Sequence, residues 1–251
     1  MSPPLRLSSQ YRIAESGPTD WVLNGKMYRL IKMLKVDTWA AVSLVERDEK
    51  RYAFKVSRLR GRLERLASPL MNFISRREYR LYHACNGIDG VPPLTERVGK
   101  NAYLHEFVEG VTLDVNDDVG EAFFDELGRI VHDIHARGVA YVDLAKRENI
   151  IVGADGRPHL IDFQISMMLS RRRNPLAWLH NRLVRWLQHE DLYHLHKHRD
   201  RILSRGDPHY VLQYNRRRSL FTRVRQLLIR RPYHFIKRLF VAKHHDTTFF
   251  R

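Results

Sequence analysis

A single cysteine, Cys85, serves all 251 residues, so no intrachain disulfide can brace the chain, which fits a reducing compartment. Long apolar runs are missing too. No stretch approaches the roughly 20 residues that cross a bilayer, and the start, Met1-Ser2-Pro3-Pro4-Leu5-Arg6, lacks the apolar centre of a secretion leader. The expected location is therefore the cytoplasm, with room for peripheral attachment at the cytoplasmic face of a membrane. Acids are scarce: 28 Asp and Glu stand against 44 Lys and Arg, a formal net charge of +16. No internal repeat is present, and the length suffices to bury a core of one compact unit.

The positive excess is uneven. Residues 215–251 hold eleven Lys and Arg against one acid, Asp246, and supply +10 of the +16. Phe221, Leu227, Phe235 and Leu239 recur among these basic residues, and Pro232 divides the stretch into two short amphipathic pieces. Such a tail suits an anionic membrane surface. Packing of its apolar side on the rest of the protein fits equally, and nucleic-acid phosphates fit less well. At the other end, residues 1–26 carry Pro, Ser and Gly with little periodicity and read as an extended arm. The run His189-Glu190-Asp191 with His194, His196 and His198 reads as an exposed polar helix face between Trp186, Leu192 and Leu195, since nothing organises a third metal ligand.

The richest segment is Tyr141-Val142-Asp143-Leu144-Ala145-Lys146-Arg147-Glu148-Asn149, followed by Ile161-Asp162-Phe163-Gln164. Ahead of it, Phe124, Leu127, Ile130, Val131 and Ile134 recur at helical spacing over 121–137, with Gly138 as the stop. After it, Ile150–Val152 and His159–Ile161 are short apolar strands joined by a linker containing Asp155-Gly156, a hairpin signal. The order is helix, loop, strand, tight turn, strand, and a carboxylate just beyond. Upstream, 27–35, 40–46 and 51–56 read as strands, the last two joined by the charged turn Arg47-Asp48-Glu49-Lys50.

This order, with its acid, amide and second acid, resembles the protein-kinase-like superfamily. The resemblance implies an α+β, bilobal fold: a small antiparallel β lobe over 27–108, a larger mainly helical lobe over 109–214, and a basic helical extension over 215–251. It implies ATP and Mg²⁺ as cofactors and transfer of the γ-phosphoryl group to a hydroxyl acceptor, protein or glycolipid. Asp143 would orient the attacking hydroxyl, Asn149 and Asp162 would hold Mg²⁺, and Lys146, ahead of Arg147, would steady the transferring group. Tyr52-Ala53-Phe54-Lys55-Val56 is similar to the strand whose lysine contacts the phosphates, which assigns that role to Lys55. Its acidic partner is expected at Glu78, with Glu64, in a stretch that reads as an inserted loop, as the rival. Tyr103–Gly110 resembles the hinge whose backbone reads the adenine edge, at Glu106 and Val108.

Several departures narrow the branch. Asn149 follows Asp143 by six residues rather than five, Tyr141-Val142 stands where His-Arg is usual, and Gln164 stands where glycine is usual. The segment Val36-Asp37-Thr38-Trp39-Ala40 has no glycine to let backbone N–H groups approach phosphates, which leaves the Thr38 hydroxyl as a donor and Trp39 as a cover. These features resemble compact bacterial branches, the RIO-like kinases and the lipopolysaccharide sugar (Kdo or heptose) kinases. The expectation is a Ser/Thr-kinase-like enzyme of RIO-like type. The alternatives are a lipopolysaccharide-type sugar kinase at the membrane and a non-catalytic pseudokinase scaffold.

Overall fold

The structure, a computed structural model, describes residues 12–13, 20–36, 40–57 and 64–204. The expected phosphate-loop residues Thr38 and Trp39 and the basic tail 215–251 lie outside them. Seven antiparallel strands form one sheet in the order β1-β2-β3-β4-β5-β7-β6. Their ranges are β1 Arg12–Ile13, β2 Asp20–Leu23, β3 Lys26–Val36, β4 Ala40–Arg47, β5 Lys50–Ser57, β6 Leu94–Val98 and β7 Ala102–Glu106. Helix α1, Glu64–Ala84, crosses between β5 and β6. Then follow β8 Gly110–Thr112, α2 Glu121–Ala136, β9 Val139–Ala140, β10 Ile150–Gly153, β11 Pro158–Leu160, β12 Met167–Met168 and α3 Pro175–Leu203. The fold is mixed α+β, strand-rich in its first part and helix-rich in its second.

Two-residue turns set the register of the first hairpins. Asn24 and Gly25 take φ of 48° and 77° between the paired Leu23 and Lys26, and Asp48 and Glu49 take 51° and 61° between Arg47 and Lys50. Both central residues at positive φ match the right-handed twist of the flanking strands. The extended arm expected over 1–26 is corrected here: Asp20–Leu23 is a sheet strand whose Trp21 and Leu23 are buried. The Asn-Gly pair that turns it back was the available signal. Glu64 is likewise no part of an inserted loop, because it opens α1.

Alternation along the strands builds a first core on one sheet face, where Trp21 meets Phe54 edge-on at 5.7 Å between centroids beside Val45 and Leu104. A larger core gathers the buried stripe of α2 (Phe124, Leu127, Ile130, Val131, Ile134) against α1, the β10–β11 hairpin and the inner side of α3. Helix α2 ends where expected. Arg137 is its C-cap and Gly138, at φ 74°, donates to His135 O at 2.8 Å. Tyr82 of α1 fills the junction of sheet and helices, packing on Phe163 at 5.0 Å and stacking on His105 at 5.4 Å. Phe163 in turn meets Tyr141 edge-on at 5.3 Å. Three fully buried rings thus join α1 to the loops at 141 and 163, and truncation of such a ring costs about 3–5 kcal/mol.

Strand β8 pairs with β10 only because Gly110 lacks a side chain: a Cβ there would sit 2.2 Å from Val152 O and 3.0 Å from Gly153 Cα, both backbone atoms. Gly156, at the tip of the β10–β11 turn, has open space but a φ of 77°. Gly110→Ala is expected to destabilise the protein by about 3 kcal/mol or more, against about 1 kcal/mol for Gly156→Ala, as read by urea unfolding.

Candidate active site

Strand β5 ends in a run of buried positions that carries Lys55 inward with only 6% exposure. A buried ammonium needs anions, and two are supplied. Lys55 Nζ donates to Glu78 Oε1 at 2.7 Å and to Asp162 Oδ1 at 2.9 Å. Glu78 comes from α1, and its Oε1 also accepts the Tyr103 hydroxyl at 2.8 Å. The expected partner Glu78 therefore meets Lys55. Burial would lower the lysine's pKa, but Asp162 and Glu78 outweigh it and hold the cation above its ordinary value. Burial would raise Asp162, yet the Lys55 ammonium pulls it down to about 2. The group is an ammonium clasped by two carboxylates, its three members coming from separate parts of the chain.

Asp143 lies on the loop between β9 and β10, 3% exposed. Its Oδ2 accepts from Lys146 Nζ at 2.6 Å and from Asn149 Nδ2 at 2.9 Å, while its Oδ1 is buried with no hydrogen-bond partner. The six-residue step does not part Asp143 from Asn149. Lys146 N bonds back to Asp143 O at 3.1 Å and a 3-10 turn over Arg147–Asn149 takes up the extra residue. Burial raises the Asp143 carboxyl above its usual range, against the pull of Lys146. Arg147 is committed elsewhere, to Asp117 at 3.2 Å, which leaves Lys146 as the loop cation beside Asp143.

The Asn149 carbonyl accepts from Ile161 N at 3.1 Å, so Asn149, just before β10, and Asp162, just after β11, lie at the same end of that hairpin. With Asn149 Nδ2 given to Asp143 and Asp162 Oδ1 given to Lys55, an amide oxygen and a carboxylate oxygen remain, hard donors of the kind Mg²⁺ takes. No three His, Cys, Asp or Glu side chains converge on a metal position among the described residues. A Mg²⁺ shared with phosphates and water needs no more than one or two protein carboxylates, so the residues present fit that ion.

Glu106 closes β7, where its N–H donates to Pro93 O at 2.9 Å. Its carbonyl accepts from His105 Nδ1 at 2.8 Å, so that nitrogen carries the proton, and burial pushes the His105 pKa down to about 4. One carbonyl lone pair at Glu106 is thus already used. Val108 is half-buried in the link to β8.

The residues that sequence reading missed hold the Asp143 loop from behind. Val142 takes φ 71°, a costly conformation for a β-branched residue, immediately before Asp143. Asp191 of α3 fixes it: the carboxylate accepts Tyr141 N at 2.8 Å, Val142 N at 2.7 Å and His135 Nε2 at 3.0 Å. His198, also on α3, donates from Nε2 to Leu144 O at 2.8 Å, and Ser166 Oγ donates to Tyr141 O at 2.8 Å. The polar helix face expected to be exposed is therefore corrected. Asp191, His194 and His198 are buried, at 1%, 4% and 4% exposure, and Asp191 and His198 supply the partners that the loop's backbone groups need. Their spacing with Val184, Leu187, Leu195 and Ile202 continues one helical stripe, and that was the legible signal. Asp162, itself at φ 68°, begins a stretch tied to α1 through Arg77, which donates to Gln164 O at 2.9 Å and to Ser166 O.

Compared with known proteins, the chain matches no family model, and no curated protein matches it.

Burial pushes the His198 imidazole, like His105, down to about 4, so both rings are neutral in the fold and take up protons near 6.5 once unfolded. A depressed folded pKa gives stability that is complete above 6.5 and is lost as pH falls toward 4. Urea unfolding is expected to show a loss of about 2 kcal/mol for each ring between pH 7.5 and pH 5. His198→Gln should shrink that difference by one ring's share.

Proposed function

We propose that this chain is an ATP-dependent phosphotransferase of protein-kinase-like fold, of RIO-like type, that moves the γ-phosphoryl group to a hydroxyl acceptor in the cytoplasm. The observation that carries this reading is the buried Lys55 held at 2.7 Å by Glu78 and at 2.9 Å by Asp162. Such an arrangement keeps a cation fixed and dehydrated, ready for phosphate oxygens, and it stands beside a second buried acid, Asp143, bound to an amide. Positioning and electrostatics of this kind suffice for phosphoryl transfer.

In this reading Lys55, steadied by Glu78, meets the nucleotide phosphates. Mg²⁺, held by the Asn149 amide oxygen and the Asp162 carboxylate, would screen the phosphate charge. Asp143 Oδ1, the carboxylate oxygen without a partner, accepts the proton of the acceptor hydroxyl. As that proton leaves, the hydroxyl oxygen bonds to the γ-phosphorus, the bond from phosphorus to the bridging oxygen breaks, and ADP departs with the electron pair. The raised pKa of Asp143 makes it a better base than a solvated carboxylate. Lys146, whose side chain is 48% exposed, is free to turn from Asp143 toward charge on the transferring group. The carbonyl of Glu106, with one lone pair left, and the backbone of Val108 would meet the adenine edge.

Millimolar ATP with Mg²⁺ is expected to raise the melting temperature by about 3–6 °C, the effect of roughly tenfold saturation. The shift should vanish without Mg²⁺ and in Asp162→Ala. Asp143→Asn should keep the shift while ADP formation falls at least about 100-fold. A wild type without the shift, or an Asp143→Asn variant with undiminished turnover, overturns the reading.

A further inference from the structure

The first three turns of α3 bury one face and leave the other apolar. Ala177, Val184 and Leu187 are buried, with Val184 and Leu187 packed on Ala140 and Val142. On the outer side Leu176 is 80% exposed, Trp178 61%, Leu179 62% and Leu183 44%. Farther along the helix the outward positions turn polar, with His189, His196 and Asp200 exposed. Large apolar side chains in water on successive turns are uncommon unless something covers them.

The charge along this stretch of the chain is of one sign. No acid occurs between Asp162 and Glu190, and that interval carries five arginines, Arg171, Arg172, Arg173, Arg182 and Arg185, all exposed. Arg182 lies over the Trp178 ring at 5.0 Å. The arginine-bearing segment is fixed to the helix: Asn181 accepts Ser170 N at 2.7 Å and donates to Ser170 O at 3.0 Å, and Asn174 caps the helix by accepting Ala177 N at 2.7 Å. Leucine, tryptophan and arginine are thus presented together on a rigid surface.

We propose that this surface, the start of α3 with Arg171, Arg172 and Arg173, docks the protein on an anionic lipid bilayer, with the helix lying in the headgroup plane. Lipid phosphates satisfy the arginines while the acyl boundary takes the leucines and the indole. Charge decides against the other occupants. The chain's own 215–251 segment brings +10 and a second copy brings +16, each repelled by five arginines. A nucleic acid would pair the arginines but leave four large apolar side chains in water.

The test uses the full chain as Leu179→Cys, labelled with an environment-sensitive fluorophore, with the wild type as background because Cys85 is buried. Leu183→Cys reads the same face should the first variant not fold. Vesicles of phosphatidylcholine with phosphatidylglycerol are expected to shift the label to the blue, and vesicles of phosphatidylcholine alone to leave it unchanged. Replacing Arg171, Arg172 and Arg173 by alanine should weaken vesicle binding about fivefold for each arginine. Vesicle binding with no change at the label would place attachment elsewhere in the chain and overturn the proposal. So would absence of binding to either vesicle, or a label that responds to RNA or to protein concentration instead.

Discussion

A cation in the interior is stable only where anions surround it, and the charge on Lys55 is the constraint around which this molecule is arranged. Its two carboxylates come from α1 and from the turn after β11, so the sheet, the long helix and the second half of the chain must all be in place before the cluster is complete. Loss of Lys55 would leave two carboxylates facing each other without a cation in the interior, which is far costlier than the absence of the whole group. The Tyr103 hydroxyl on Glu78 and the ring packing of Tyr82, Phe163 and Tyr141 hold the three parts at the required distance. Sheet and helices, each with an apolar core of its own, therefore share one electrostatic centre.

A second device acts on the loop of Asp143. The loop enters through Val142 in a conformation that its side chain resists, and Asp191 offsets that strain by taking two consecutive backbone N–H groups on one carboxylate. His135 steadies that carboxylate, and His198 and Ser166 donate to the Leu144 and Tyr141 carbonyls of the loop. A loop tied at so many points holds Asp143 and Asn149 in contact across a step of six residues. Rigid support behind an acid with one unpartnered oxygen is the geometry expected of a group that receives a proton, and the proposed phosphotransfer uses it so.

Helix α3 links this support to the outside. Its inner stripe changes from apolar at Val184 and Leu187 to polar at Asp191 and His198, following what the loop requires. On its outer side the large exposed apolar residues cluster in the first turns, where the arginines gather. The proposed membrane face and the proposed site are thus separated by one layer of side chains, Val184 and Leu187 against Ala140 and Val142.

Much of this was written in local sequence. The strand that carries Lys55, the amphipathic α2 with its Gly138 stop and the Asp155-Gly156 hairpin follow from periodicity and turn chemistry, which act over a few residues, while the grouping of Asp143, Asn149 and Asp162 was what the family resemblance implied. The strand Asp20–Leu23 was legible through Asn24-Gly25 but hidden by the polar residues ahead of it. Other features belong to the tertiary structure alone. Glu78 and Asp162 meet on the one Lys55 ammonium because α1 and the segment after β11 both close on β5, and Asp191 and His198 are buried because a strained loop 50 residues upstream in the chain needs partners for its backbone. Local spacing determines which groups stand near each other along the chain. Which charges are desolvated, and which backbone groups must be satisfied from afar, is decided only when distant segments meet.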